Sequence, residues 1–219
     1  MALFIFFTLF TLFTLVYTRL PMKSSRIFTI PTVLLLAACA SSPSGPLSAP
    51  LQDRLRNPLV AERYWSEMAE HMADFTRMND AIMKDPTQAA VIEAERTRAL
   101  ERVTQARTLI KEGLSGSWQA VALTEDVNGV ALLRDHMLYI SSAFETRPNP
   151  SVYMYLTRMV DPRNGAFPDE TSLNLGQLQS AFGEQEYAIP EARQSEEFFT
   201  AVLYDTRLRR LMGFAQLGK

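Results

Sequence analysis

The sequence predicts an α+β protein, in which an N-terminal antiparallel α-hairpin is followed by a mainly antiparallel, β-sandwich-like domain. Two observations predict this order. Between Asn57 and Gly113 the chain has no internal glycine, and its apolar residues recur at steps of three and four, as in helices with one buried face. Beyond Gly113 the apolar runs become short, rich in β-branched and aromatic residues, and separated by turn-forming residues, which is typical of antiparallel strands.

The region before the hairpin has the pattern of an export signal. From Met22, a basic head with Lys23 and Arg26 precedes an apolar stretch at 27–36, and small residues lead to Cys39, the single cysteine of the chain. This order of basic, apolar and small residues indicates that the chain is exported.

The tetrapeptide Leu36-Ala37-Ala38-Cys39 resembles the lipobox of bacterial lipoproteins. The resemblance implies cleavage before the cysteine and thioether lipidation of Cys39, with three acyl chains. We therefore assign residues 1–38 to a signal region, with the true start at Met22 and the signal peptide at 22–38. Residues 39–57 are assigned to the lipidated cysteine and a Ser/Pro-rich tether.

The lipid would make the membrane the first expected partner, because each buried methylene contributes ~0.8 kcal/mol and several chains together hold firmly. Ala40, rather than aspartate, follows the cysteine. In Gram-negative lipoproteins this implies the outer membrane, with the chain facing the periplasm. The expected location is the cell envelope.

A second apolar run before Arg19 leaves alternatives open. Either the first 21 residues come from a start codon assigned too early, or they form a true membrane span with Arg19, Lys23 and Arg26 on the cytoplasmic side. In the second case Cys39 would stay unprocessed. A third interpretation, an ordinary cysteine in a spanning helix, is disfavoured because 27–38 is shorter than the ~20 residues that a span requires.

The hairpin is assigned to residues 58–113. Asp85, Pro86 and Gln88 form a helix-start signal, so one helix is expected to end near Lys84 and the next to begin at once, and Gly113 closes it. The apolar stripe of the first helix comprises Trp65, Met68, Met72, Phe75 and Ile82, with Asn79 as its polar member. The stripe of the second comprises Ala89, Ile92, Ala99, Val103, Ala106 and Ile110.

Charge and cysteine count exclude several classes of function. Three of the 22 basic residues (Arg19, Lys23 and Arg26) and none of the 24 acidic residues precede Cys39, so the remainder carries 19 against 24, a net charge of about −5. We therefore expect no nucleic-acid partner, since phosphate binding requires an excess of clustered Lys and Arg. One cysteine permits neither an intrachain disulfide nor a multi-cysteine metal site.

The β domain, assigned to residues 114–219, carries motif residues in a recognisable order. They are Leu175-Gly176-Gln177-Leu178, Phe182-Gly183, Gln185, Tyr187, Ile189-Pro190 and, at the end, Gly213-Phe214-Ala215 followed by Leu217. This order resembles the core of the DM-thirteen, or electron-transfer DM-thirteen, family. The resemblance implies a β domain with a link to electron transfer.

The motif residues also have structural interpretations. We expect Gly176 and Gly183 to serve turns or a close approach of the backbone, Tyr187 to bury its ring with its hydroxyl paired, and Pro190 to end a strand. The remaining members, Gln185, Gly213 and Ala215, are likewise assigned to structure.

One position departs from the family pattern. Family members usually end a late strand with an aromatic residue and a cysteine, whereas Tyr204 and Asp205 stand there in this chain. The departure weakens any redox role through a thiol. A buried Asp205 would need a partner such as Arg207 or Arg209, or a raised pKa, whereas an Asp205 on the surface would be inert.

No constellation in the sequence predicts catalysis, a metal or a cofactor. His71 and Met72 are neighbours on a helix and point about 100° apart, so they cannot hold one haem iron from the same side. His136 is isolated. The carboxylates Asp161, Asp169 and Glu170 have no standard calcium-loop spacing, so we expect them to face solvent.

The sequence therefore predicts a lipid-anchored envelope protein whose β domain is a non-enzymatic binding or interaction module. The expected partner is an envelope protein or a small ligand. The alternative is an accessory protein of electron transfer that uses a cofactor not visible in the sequence.

Overall fold

A computed structural model describes residues 50–193 and 197–219. The signal region and Cys39 lie outside these ranges, as does the tether up to residue 49. Within them, no helix combines the length and the apolar character that crossing a bilayer requires.

The helical part occupies residues 51–112. A short helix α1 (Leu51–Arg54) precedes α2 (Pro58–Arg77), a 3₁₀ turn (Ala81–Lys84) and α3 (Pro86–Glu112). Asn57 caps α2 by accepting from the backbone N–H of Leu59, and Asp85 caps α3 by accepting from that of Thr87. A proline follows each cap at the first helical position, where its missing N–H costs nothing.

The first long helix ends earlier than the apolar spacing predicts. It stops at Arg77 rather than near Lys84, and Asn79 lies outside it with a φ of 49°. The N–H of Asn79 donates to Thr76 O and that of Asp80 to Phe75 O, the bond pattern of a Schellman C-cap. Asn79 is therefore the left-handed residue that ends α2, not a polar member of its buried stripe.

The two long helices pack on each other. The stripe predicted for α3 is largely buried, with Ile92, Ala99, Val103 and Ala106 at most 6 % exposed. The stripe of α2 is only half-buried at Trp65, Met68, Met72 and Phe75, and Ile82 is exposed. A hairpin of two helices covers one side of each helix, and no described element forms a third layer over the rest.

The β domain is built on one antiparallel sheet of eight strands with the order β7-β6-β9-β10-β1-β3-β4-β8. Its strands in chain order are β1 (Leu114–Ala120), β3 (Val130–Arg134), β4 (Met137–Ile140), β6 (Val152–Thr157), β7 (Leu173–Gln177), β8 (Gln185–Ala188), β9 (Thr200–Asp205) and β10 (Arg210–Gln216). A separate two-stranded ladder joins β2 (Val127–Asn128) to β5 (Glu145–Thr146).

The eight-stranded sheet nearly closes on itself. Its two end strands, β7 and β8, contact each other, and the short segment 178–184 connects them directly. The predicted α+β fold, helices first and antiparallel strands second, is thus confirmed. The β domain has the form of a curved sheet approaching a barrel, because its two end strands come into contact.

Both faces of β6, β9 and β10 are covered. Val152, Met154 and Leu156 point into the main core with residues from most other strands. On the opposite face, Tyr155 and Tyr204 pack with Val202 and Phe214 in a second cluster. The alternation of aliphatic and aromatic residues in β6 therefore separates two cores, as expected for a strand buried on both sides.

Candidate functional site

Asp205 is the last residue of β9 and is completely buried. Its Oδ1 accepts hydrogen bonds from the backbone N–H groups of Arg207 and Leu208, both at 2.8 Å, and its Oδ2 accepts one from Ser151 N–H at 3.3 Å. The buried carboxylate thus has backbone partners rather than the arginine partner considered from the sequence, and it does not lie at the surface. It fixes the turn between β9 and β10 against the segment before β6.

Three loops meet at this end of the sheet: 121–126, 147–151 and 206–209. The Arg210 guanidinium donates to Thr124 Oγ1 at 2.7 Å and forms an ion pair with Glu125 at 3.1 Å. Arg147 pairs with Asp126 at 2.5 Å. A further hydrogen bond, 2.9 Å long, joins the hydroxyls of Ser151 and Thr206. Side chains therefore connect each loop to at least one other.

The loops present an exposed surface that is both apolar and basic. Leu123 is fully exposed and Leu208 is 53 % exposed, while Arg207 and Arg209 are exposed beside it. Neither arginine forms an ion pair with any residue in the described ranges. We call Leu123, Arg207, Leu208 and Arg209 the loop surface. The sequence indicated Arg207 and Arg209 only as partners of Asp205, and it did not indicate Leu123. These residues share one surface only because the loops 121–126 and 206–209 meet in the folded protein.

The motif residues Gln185 and Tyr187 form an internal network. The Tyr187 hydroxyl donates to Gln185 Oε1 at 2.7 Å, and that oxygen also accepts from the N–H groups of Gln179 and Ser180. Gln185 Nε2 donates to Ser180 O at 2.8 Å. Burial raises the pKa of Tyr187 to about 12. The network holds the segment between β7 and β8, where the sheet nearly closes.

The other motif residues serve the backbone. Gly176 and Gly183 have φ of 115° and 84°, which side-chain-bearing residues rarely adopt. Gly213 lies against Val127 and Gln119, so an added Cβ would lie 2.9 Å from Val127 Cγ2 and 3.0 Å from the backbone oxygen of Gln119. Ala215 is buried, and the exposed Pro190 follows the end of β8 by two residues.

An aromatic group lies next to Asp205 along β9. The rings of Tyr155, Phe167 and Tyr204 meet edge to face, with centroids 5.4 to 6.1 Å apart. Burial raises the pKa of Tyr155, and the neighbouring Tyr204 and Tyr153 raise it further. Arg163 lies over the ring of Phe214, 4.9 Å from its centroid, and covers the same face of the sheet.

The candidate metal ligands are not brought together. Asp161 pairs with Arg163, whose hydrogen bonds lower the pKa of the Asp161 carboxyl. Asp169 accepts from the hydroxyls of Thr157, Thr171 and Ser172. Over the described part of the chain, no group of three or more His, Cys, Asp or Glu side chains could hold a metal ion.

Comparison with known proteins gives one match. Residues 121–217 match the family model described as Electron transfer DM13, the DM-thirteen family that the motif residues resemble. Neither the curated proteins nor the solved structures contain a match to the chain. The matched range covers the β domain from just after β1 to the end of β10, and it includes Asp205 and all four residues of the loop surface.

Proposed function

From the premise that the chain carries a DM13 domain at residues 121–217, we propose that it is a lipid-anchored envelope protein whose β domain is a non-enzymatic binding module. The observation that carries the proposal is the loop surface. Two leucines and two arginines are exposed on it, and neither arginine has an ion-pair partner among the described residues. The buried carboxylate of Asp205 holds the loop 206–209, and Arg147 and Arg210 contact the loop 121–126. Loops positioned by a rigid sheet are the usual place for binding residues.

The chemistry of the loop surface indicates the kind of partner. Burial of exposed leucines against a partner is favourable because it removes apolar surface from water. Arginine is enriched in protein interfaces, and its planar guanidinium pairs well with carboxylates. A partner protein that offers acidic side chains around an apolar contact would complement this surface. The chain's overall negative charge makes a purely electrostatic attraction to such a partner weak, so the local arrangement must supply the recognition.

Asp205 supports this proposal in a second way. At the position where the family resemblance places a cysteine, this chain has a carboxylate that is engaged by three backbone N–H groups. The residue is therefore committed to holding the loops. A role as a scaffold for binding fits these contacts better than thiol chemistry does.

Photo-crosslinking in the native host tests the binding surface. A photoreactive amino acid at Leu208 of the full chain should trap a defined partner band. The double variant Arg207→Glu/Arg209→Glu should lose that band, whereas the matched charge reversal Arg102→Glu on α3 should keep it. A band that is equally strong in both charge variants, or no discrete band at all, would overturn the assignment of this surface.

The lipid anchor is tested separately. Mass spectrometry of the mature N-terminus should find an acylated Cys39 as the first residue, and Cys39→Ala should release the protein from membranes. An unmodified peptide that crosses Ala38-Cys39 would remove the lipoprotein part of the proposal without affecting the loop surface.

A second candidate function is electron transfer with a bound cofactor. The description of the matched family and the aromatic group beside Asp205 favour it. Protein purified from its native host would then show haem or flavin absorption bands. A spectrum without bands above the protein ultraviolet would leave the binding module as the supported function.

A further inference from the structure

One face of the hairpin forms a groove between α2 and α3. Ser66, Ala69 and Ala73 line it on α2, and Leu100 and Val103 line it on α3, around a depression of about 290 Å³. A second depression of about 310 Å³ adjoins it at the base of the hairpin, and Arg107 borders both. Leu100 is 48 % exposed although it faces this groove.

The two walls of the groove carry opposite charges. Glu62 and Glu70 are on the α2 wall, whereas Arg96 and Arg107 are on the α3 wall. Glu62 and Arg107 pair across the groove at 2.9 Å, and Arg96 also pairs with Glu93 on its own helix at 3.2 Å. Among the residues that line the two depressions, the charged side chains on α2 are thus acidic and those on α3 are basic.

The two walls also differ in shape. The α2 wall is low because its central residues are alanines, whereas Leu100 projects from the α3 wall. Ala69 lies seven residues after Glu62 on α2, and Leu100 lies seven residues before Arg107 on α3. Because the two helices are antiparallel, Ala69 and Leu100 lie at the same level of the hairpin, as Glu62 and Arg107 do. One wall therefore offers a hole and the other offers a side chain that could fill it.

We infer that a second copy of this chain docks on this face, related by a two-fold axis parallel to the helices. That axis places the α2 wall of each copy against the α3 wall of the other at the same level, and each pair of facing helices runs antiparallel. Leu100 of each copy enters the hole at Ala69 of the other, and Glu62 faces Arg107 between copies as well as within one.

The alternative two-fold axis, in the interface plane but perpendicular to the helices, is disfavoured by charge. It would place α2 on α2 and α3 on α3, so that the acidic walls would repel each other and the basic walls would do the same. In an isologous interface the same patch of both copies is in contact, so that patch must contain both members of each complementary pair. This face contains the hole at Ala69 together with Leu100, and Glu62 together with Arg107.

The dimensions of the face suit a modest dimer. A 20-residue helix is about 30 Å long and two packed helices are roughly 20 Å wide, which gives on the order of 600 Å² per copy. Roughly 1,200 Å² in total is the lower end of stable interfaces. The four-helix arrangement uses no residue of the loop surface, so this inference stands or falls independently of the proposed function.

Disulfide trapping of the full chain tests the contact. Ala69→Cys and Leu100→Cys are placed on two differently tagged copies that are expressed together, so a bond between them must join two chains. We expect a mixed-tag disulfide species at least fivefold more abundant than with the control pair Ala69→Cys and Val91→Cys. Val91 is half-exposed on α3 and lies about 180° around the helix from Leu100. Equal trapping by both pairs, or none by either, would overturn the inference.

A charge swap distinguishes pairing between copies from an effect on folding. The variant Glu62→Arg/Arg107→Glu keeps the pair within each chain and also keeps complementary walls between two copies of the variant. When it is expressed with the differently tagged native chain, like charges face each other only in mixed dimers. We expect self-association of the variant to persist and mixed dimers to fall several-fold below the random half. Mixed dimers at the random share would contradict the proposed symmetry.

Discussion

Asn57 joins the hairpin to the sheet through Ile140. Its side-chain Nδ2 donates to the backbone oxygen of Ile140 in β4 at 3.0 Å, while its Oδ1 accepts from Leu59 N–H, also at 3.0 Å. The residue is fully buried. One amide side chain therefore both starts α2 and fixes that start against the sheet.

Removing this amide should destabilise the protein. Asn57→Ala loses the helix cap and the side-chain hydrogen bond to Ile140 O, which we expect to cost about 2–3 kcal/mol in the free energy of unfolding. Asn57→Asp keeps an oxygen for the cap but places a second oxygen against the carbonyl, so it should be at least as destabilising. Urea unfolding measures both, with exposed Asn128→Ala as the control. A change below about 0.5 kcal/mol in Asn57→Ala would contradict this role.

Asp205 should be sensitive to replacement because its three hydrogen-bond donors are backbone N–H groups that do not move away easily. Asp205→Ala leaves them without their acceptor, with an expected loss of about 3 kcal/mol or more. Asp205→Asn keeps one acceptor oxygen for the turn and should lose less. Asp205→Cys, which introduces the residue type of the family pattern, should resemble the alanine variant. Chemical denaturation orders the three, and a cysteine variant as stable as the native chain would show that the carboxylate is dispensable.

Three glycines should respond differently to alanine. At Gly116, in β1, an added Cβ would lie 2.0 Å from the backbone oxygen of Gln216 in β10, so the two strands must separate. The expected loss in the free energy of unfolding is about 3 kcal/mol or more. At Gly176 no atom obstructs a Cβ, but the φ of 115° should cost about 1–3 kcal/mol. Gly218 has neither constraint, and its variant should be close to neutral. Thermal unfolding in parallel tests this order, and a Gly116→Ala variant as stable as Gly218→Ala would refute it.

Tyr187 should make stability fall at alkaline pH. Burial raises its pKa from 10.0 to about 12, so the folded state favours the neutral phenol. The contribution of the neutral Tyr187 phenol to the free energy of unfolding is fully present below pH 10. It is lost as the pH rises through 12, by up to roughly 3 kcal/mol. Tyr187→Phe should be less stable near pH 8 because Gln185 loses a donor, yet it should lose less stability between pH 9 and 12. An identical alkaline loss in both proteins would exclude Tyr187 as its source.

Asp169 should contribute in the opposite pH range. Burial acts to raise its pKa, but hydrogen bonds from the hydroxyls of Ser172, Thr171 and Thr157 outweigh burial and lower the pKa below its ordinary 3.8. Its contribution to stability is therefore present above pH 3.8 and is lost as the pH falls through the lower folded value. Asp169→Asn should flatten the dependence of unfolding free energy on pH below 4. If the slope there is unchanged, the hydroxyl bonds do not hold the charged form.

Some elements could be predicted from local sequence because local physics fixes them. Asp85 and Pro86 start α3 with the expected cap, and the alternation in β6 separates an aliphatic from an aromatic face. The predicted end of α2, near Lys84, is wrong because the apolar spacing continues past Arg77, where the helix stops. The Asn79 cap is a backbone conformation that the spacing does not show.

The loop surface could not be predicted for a different reason. Leu123 and Leu208 are 85 positions apart, and each alone is an ordinary loop residue. They lie at one end of the sheet because β10 pairs with both β1 and β9, and Arg210 then contacts Thr124. Pairing of distant strands, which no local pattern encodes, brings them together.

The sequence by itself determined the order of helices and strands, the DM13 motif and the replacement of a cysteine by Asp205, because spacing and residue type are local properties. Only the tertiary structure decided that this carboxylate is buried and bound by backbone N–H groups. Its partners come from Ser151 as well as from its own turn, and such partners exist only after β6 and β9 have paired.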